Sequence, residues 1–485
     1  MSITQGLREA ILQGVIKAGA RLPASRNMAE QLAVARNTVV AAYAQLQAEG
    51  FVVAGQGSGT YVCKVVPEHV SGVMPRMPSG DGLVSTPPPL SNRGLNYWSD
   101  PLHSFWIEQP FCPGSFCEEL FPLATWNRLL TQCVRDLGSK VLHNGPQGGA
   151  PELRDAIARH VRATRGVRCE AQQVIITDGT AQSLTLIGKL LTDAGEAVWT
   201  EDPCYWGASR TLSSLGLRPI GLAVDAQGTL LPAEPAQGQD SPRLAYLTPS
   251  NQFPMGVVMS LARRRDWLNY ARTHGVLLLE DDYDSEFRFN GEPFPSLQGL
   301  DADTGSGNSV IYLGSFSKTM FPGIRLGFVV VPKGLAELFA AAGADYDRDG
   351  DQLLQTTMGR FISQGHYSSH VRLLRQEYGA RREVLVRSLY EQLPDCLAAD
   401  SRLQIVSGPR GVHLTLGFPA DVDDQRVARA CAEQGVTVIP LSVYTVNQGA
   451  SGAVLSYAGT TVPEIAPLVQ RIAPVLAKYV FNLAA

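Results

Sequence analysis

Ser315, Ser317, Lys318 and Arg325 lie together in the run SFSKTMFPGIRLG, directly after the apolar stretch SVIYLG. A lysine at the exit of a buried strand is partly desolvated, so its amine is biased toward the neutral form that condenses with an aldehyde. The two serine hydroxyls and an arginine after a short loop are the donors and fixed cation that a phosphate needs. Aldehyde and phosphate on one small molecule point to pyridoxal phosphate. The same run also reads S-x-x-K, a serine-nucleophile signature, but the S-D-N and K-T-G runs that would accompany it are absent from the sequence. A surface lysine after a strand is the plainer alternative.

The neighbours of this run favour the cofactor. Asp281, Asp282, Tyr283 and Asp284 follow the stretch GVLLLE, at the carboxyl end of an expected parallel strand, where open α/β sheets gather their ligands. A carboxylate against a pyridine nitrogen keeps the ring protonated and makes it an electron sink, and a nearby tyrosine reaches the ring's phenolic oxygen. A metal site or a solvated loop is the alternative for such a cluster, and against the metal no histidine stands near it in sequence. In ITDGTAQSL, Gly179 and Thr180 fall between a strand and a helix, where free backbone N–H groups cradle an anion. Tyr205 in EDPCYW is either a ring stacked on the cofactor or a core tyrosine.

The elements that must position these residues are read from pattern. From about residue 100, strand-like runs (QQVIIT, GVLLLE, SVIYLGS, RLGFVVV) alternate with helical stretches such as PELRDAIARHVRATRG, which implies an α/β fold with a mostly parallel sheet covered on both faces. The chain has 485 residues, 45% hydrophobic and 18% charged, enough for about three domains and unlike collagen-like, disordered or coiled-coil chains. Eight cysteines without a CxxC pair read as reduced thiols of a cytoplasmic protein. The N-terminus lacks signal-peptide character and no apolar run approaches the roughly 20 residues that span a bilayer, so no membrane association is expected. The net charge of −4 is segregated: residues 1–66 carry six basic and three acidic side chains, net +3, leaving −7 for the remainder. Between these parts, residues 67–105 are rich in Pro, Gly and Ser and read as a linker.

In residues 1–66, GLREAILQGVIKA places Leu7, Ile11, Val15 and Ile16 on one helical face. A second helix is expected from Ser25 as N-cap, and a third carries Val39, Tyr43 and Leu46 on one stripe. FVVAGQGSGTYV then reads as two short strands around a glycine-rich tip. This is a winged helix-turn-helix shape. In it, Arg36, Asn37 and Thr38 open the helix that enters the major groove, and Gly57, Ser58, Gly59 and Thr60 lie against phosphates. A small helical cap with a hairpin, making no nucleic-acid contact, is the alternative on spacing alone.

RLPASR, RNTVVAAY, LQAEG and GSGT occur here in the order in which they occur in GntR-type regulators, and the whole segment resembles that winged helix-turn-helix. The resemblance adds Arg26 of RLPASR to the DNA-binding set. Against the family pattern the first helix starts late, and Ala54-Gly55 stand where related wings carry basic residues. From about Leu120 onward, NGPQGGAPELRDAI, IITDGTAQSL, EDPCYW, TPSNQFPMG, LEDDYDSEF and SFSKTMFPGIRLG resemble a fold-type-I aminotransferase. That resemblance implies residues 106–485 as a pyridoxal-phosphate-binding and dimerisation domain with a smaller C-terminal α+β subdomain at about 370–485. It implies Lys318 as the Schiff-base lysine, Asp281 as the pyridinium partner and Tyr283 at the phenolic oxygen. It also implies Ser315, Ser317, Arg325, Gly179 and Thr180 as the phosphate cup and Tyr205 as the stacking ring.

Joined to the winged helix, the chain looks like the MocR subfamily of GntR-type transcriptional regulators. The resemblance implies a homodimer that binds double-stranded promoter DNA and senses a small amine or the cofactor itself; the alternative is an active aminotransferase with an accessory DNA-binding domain. Three positions depart from catalytic aminotransferases: Phe253 replaces the asparagine of Asn-Pro-Thr-Gly, Val454 stands where an arginine binds the α-carboxylate, and His143 stands where a tyrosine reaches the partner's phosphate. A valine cannot clamp a carboxylate.

Overall fold

The computed structural model describes residues 2–55, 59–64, 89–91, 94–95, 109–232, 241–290, 294–303, 307–347, 350–394, 402–447 and 449–481. Two compact units divide the chain, Met1–Pro89 and Leu90–Ala485. The linker expected at 67–105 lies outside the described residues, apart from 89–91 and 94–95.

In the first unit, α1 (Ile3–Leu12) is capped by Ser2, whose hydroxyl accepts from Gln5 N at 3.2 Å. It ends earlier than the expected face requires, because Gly14 takes φ +74° and turns the chain. Ile11 is therefore buried while Val15 is 74% exposed. The second helix, α2 (Ser25–Gln31), is capped at Ala24, and Ser25 is its first helical residue, without a side-chain cap bond. The expected N-cap is thus displaced by one position. The stripe on α3 (Arg36–Ala48) is as expected: Val39, Tyr43 and Leu46 are buried. They pack with Ile11, Leu22, Ala29 and Phe51, and the Tyr43 hydroxyl donates to Pro23 O at 2.8 Å. The wing is an antiparallel pair, β1 (Val52–Ala54) and β2 (Thr60–Val62), with Val52 opposite Val62.

The second unit is built on an eight-stranded sheet of β3 (Val174–Thr177), β4 (Ala197–Asp202), β5 (Arg218–Asp225), β6 (Gly228–Thr229), β7 (Leu244–Leu247), β8 (Leu277–Asp282), β9 (Val310–Ser315) and β10 (Gly327–Val330), in the order β3-β10-β9-β8-β7-β4-β5-β6. The pairings β5-β4-β7-β8-β9 are parallel. β10 is antiparallel to both β9 and β3, since the eleven residues 316–326 between β9 and β10 are shorter than a parallel crossover needs. Alternate residues feed two cores. Ile176, Phe328 and Val330 face α4 (Leu123–Leu137) and α5 (Pro151–Arg165), while Ile175 and Val329 face α6 (Thr180–Leu191) and α7 (Trp206–Ser214). A smaller antiparallel sheet follows, β11 (Gln404–Ile405), β12 (His413–Phe418), β13 (Ile439–Pro440) and β14 (Ser451–Ser456), ordered β11-β12-β14-β13. Its core also takes Phe111 and Cys117 from far upstream, and Ser456 N donates to Phe111 O at 2.9 Å. The small subdomain is therefore completed by an arm around residue 111.

Candidate functional site

Gly179, Thr180, Tyr205, Asp281, Tyr283, Ser315, Ser317, Lys318 and Arg325 line one cavity of about 300 Å³. It opens at the carboxyl ends of β3, β4, β8 and β9, so residues scattered over about 150 positions meet because four strands point one way. Gly179 holds φ +111° at the start of α6, a conformation that a side chain disfavours, and a Cβ there would meet only open space. The start of α6, whose first N–H groups have no partner within the helix, lines the cavity at Gly179 and Thr180. Ser317 N and the Ser315 and Ser317 hydroxyls form a 3.2 Å network beside them. Arg325 is exposed at the rim.

Strand alternation on β8 separates three consecutive carboxylates. Glu280 accepts from Leu297 N at 2.8 Å and Gln298 N at 3.0 Å. Asp282 accepts from Arg165 Nε and from the Tyr312 hydroxyl, both at 2.6 Å. Burial alone would raise the Asp282 carboxyl, but the Arg165 guanidinium outweighs it and holds it below the usual range. Asp281 points the other way, into the cavity. Its Oδ2 accepts from the Tyr246 hydroxyl at 2.6 Å, while its Oδ1 is buried with no partner. Burial pushes its carboxyl up to about 7, with Asp282 and Glu201 adding to the rise against the Tyr246 bond. Burial likewise lowers the Lys318 amine, opposed by Asp284. The cavity therefore holds a desolvated amine, an unpaired carboxylate oxygen and an anion cradle. Among the described residues no His, Cys, Asp and Glu group forms a metal site, and Asp282 and Asp284 are engaged by Arg165 and Asn251.

Several lining residues were not singled out from sequence. Tyr246 sits in the middle of the apolar strand LAYL, and a lone hydroxyl there was the available signal. Tyr444 reaches the cavity from the small subdomain because Asp202, at the end of β4, accepts from Val446 N and Asn447 N at 2.9 Å. Phe253 fills the wall with its ring 5.9 Å from Tyr283, 5.8 Å from Tyr205 and 5.2 Å from Tyr444. Two residues earlier, Asn251 Nδ2 donates to the Tyr283 hydroxyl at 3.1 Å, so an amide reaches that tyrosine from another position. Behind Phe253, His413 bonds Pro254 O through Nε2 at 3.0 Å and is held down to about 4 by burial. Val454 lies fully buried in β14, and His143 is exposed away from the cavity lining.

In the first unit, Arg36, Asn37 and Thr38 form the exposed first turn of α3. Arg26 is exposed, with its Nε 3.7 Å from Glu30. Gly59 and Thr60 are half-buried at the base of the wing, and Gly57 and Ser58 lie outside the described residues. Arg8 is held in a 2.6 Å pair with Glu49, joining α1 to the end of α3. Among the described residues no helix is long and apolar enough to cross a membrane.

Comparison with known proteins adds the following. Residues 121–472 match the family "Aminotransferase class I and II" and residues 1–62 match "Bacterial regulatory proteins, gntR family". The "Probable rhizopine catabolism regulatory protein MocR" of Rhizobium meliloti is 37% identical over 93% of this chain and 88% of its own length. The HTH-type transcriptional regulator YhdI of Bacillus subtilis is 31% identical over 97% of this chain and 95% of its own. Among solved structures, the α-aminoadipate aminotransferase LysN of Thermus thermophilus, complexed with N-(5'-phosphopyridoxyl)-L-leucine, superposes with a TM-score of 0.73 at 26% identity, covering 81% of this chain and 98% of LysN.

Proposed function

This chain belongs to the MocR subfamily of GntR-type transcriptional regulators, and from that premise we propose that its large domain works as a sensor that controls a DNA-binding domain, rather than as a working transaminase. Pyridoxal phosphate is its cofactor. The residues present fit that group: the partnerless Asp281 Oδ1 matches a ring N–H donor, and the bare start of α6 with the serine network matches a phosphate. When bound, the cofactor supplies an aldehyde carbon that amines capture reversibly. Lys318 would provide the resident amine, Tyr283 would face the phenolic edge and Tyr205 would cover the ring. Arg325 neutralises the phosphate at the rim.

The convergence of Lys318, Asp281 and the anion cradle on one cavity, in a chain that also carries a winged helix, is the observation that carries the proposal. The effector is an amine without an α-carboxylate, or the cofactor itself: Val454 cannot clamp a carboxylate, and it lies fully buried in the small sheet. An effector acts by binding two domain arrangements unequally. The working unit is a homodimer on cytoplasmic promoter DNA, because one winged helix of modest charge makes few phosphate contacts. The second reading, an active aminotransferase, draws on the complete lysine, aspartate and arginine set.

The test is a visible-spectrum titration of the loaded protein against carboxylate-free amines, simple α-amino acids and free cofactor, with and without promoter DNA. A spectral change linked to DNA affinity, elicited by amine or cofactor, is expected. Tight, DNA-linked binding of a simple α-amino acid would overturn the effector class. Multiple turnovers with an amino donor and a keto acceptor would establish the second reading instead.

A further inference from the structure

The outward face of α3 is apolar immediately beyond its first turn. The helix turns Val39, Ala42, Tyr43 and Leu46 into the core of its unit. Its period then brings Arg36, Asn37, Val40, Ala41 and Ala44 to the surface, and all five are exposed. Two adjacent valines thus have opposite fates: Val39 is 0% exposed and Val40 46%. Between Arg36 and Glu49 the helix carries no charged side chain. Lone exposed apolar residues are ordinary on a protein surface. Val40 is distinguished by its place, one turn after Arg36 on the face that a winged helix-turn-helix lays into the major groove.

In the major groove, bases present a distinctive set of donors and acceptors and one apolar group, the C5 methyl of thymine. Arg36 has the geometry for guanine O6 and N7, and Asn37 for adenine N6 and N7. Val40 has neither donor nor acceptor, and in a helix its branched side chain holds one rotamer, so its methyls are fixed before binding. Ala41 and Ala44 beside it are too short to hold the helix off the base edges. We propose that Val40 is a specificity-determining residue that reads a thymine methyl, one contact per half-site, adjacent to the base pair read by Arg36. The proposal rests on the DNA-binding reading of the first unit and adds to it the chemistry of one base.

The experiment begins by selecting operators from a random duplex library with the intact, cofactor-loaded protein. Each thymine of the selected operator is then replaced in turn by uracil, which removes only the methyl. One uracil replacement per half-site is expected to weaken wild-type binding about fourfold, the equivalent of ~0.8 kcal/mol for one buried methyl group. Val40→Ala should bind the unmodified operator about fourfold more weakly and show no further loss with uracil. Val40→Ser, which removes both methyls while keeping a small side chain, should be equally blind to the replacement. An operator with no uracil-sensitive thymine, or one to which Val40→Ala remains as sensitive as wild type, overturns the proposal. A library that enriches no sequence at all overturns the DNA-binding reading beneath it, which is a different result.

Discussion

Asp281 carries an electrostatic cost that a cation beside it would remove. Its carboxyl is raised to about 7 by burial, above the unfolded value of about 3.9. A carboxylate raised on folding supports the fold at low pH, and that support is lost as pH climbs from the unfolded value through the folded one. A protonated ring nitrogen at Oδ1 favours the charged form and cancels the loss. The gain in Tm on adding pyridoxal phosphate is therefore expected to grow between about pH 4 and pH 7, and Asp281→Asn should flatten that growth; thermal melts with and without cofactor check it. Tyr246→Phe leaves Asp281 Oδ2 without its 2.6 Å bond and should cost about 1–3 kcal/mol, with weaker cofactor binding read by equilibrium titration. At this scale the sequence was informative about residue type and poor about direction. The three carboxyls and one phenol of DDYD read as one cluster, and only the Arg165 and Tyr312 contacts show that Asp282 is structural.

Elements were legible where a period was sustained and illegible where a single backbone angle decided. The stripe Val39, Tyr43 and Leu46 predicted a buried helix face, and the face is buried. The stripe Leu7 to Ile16 predicted a longer first helix, and one glycine at φ +74° ended it. Strand runs showed where the sheet lies, but the direction of β10 followed from loop length, which apolar composition does not encode. Tyr444 had no local signal, because its approach depends on Asp202, 242 positions upstream, holding the loop at 446–447. Two outcomes belong to this scale. Leu46→Ala opens a cavity in the small helical core and should cost about 2–5 kcal/mol, abolishing DNA binding in a gel-shift assay while the visible cofactor band persists. Gly179→Ala forces a side chain onto φ +111° and should lower cofactor affinity about tenfold, since ~1–3 kcal/mol of backbone strain is introduced at the anion cradle; far-ultraviolet circular dichroism should be unchanged.

The whole molecule is a basic head and an acidic body, and the overall charge of −4 conceals both. Arg8 is committed to Glu49, so the head's attraction for DNA falls to a few exposed cations, Arg36 and Arg26 among them. The slope of log affinity against log salt should accordingly be about twice as steep on a two-half-site duplex as on a single half-site, measured by fluorescence anisotropy. Arg36→Ala should weaken operator binding by about 1–3 kcal/mol while leaving the visible band intact; a change in both or in neither would refute the division of labour between the units. Trp206 stands in the wall of the same cavity that would hold the visible chromophore. An indole so close to an absorbing ring passes its excitation to that ring instead of emitting it. Cofactor occupancy is therefore written into the intrinsic ultraviolet emission of the chain, and substituting Trp206→Phe would weaken that report while the absorption band remained.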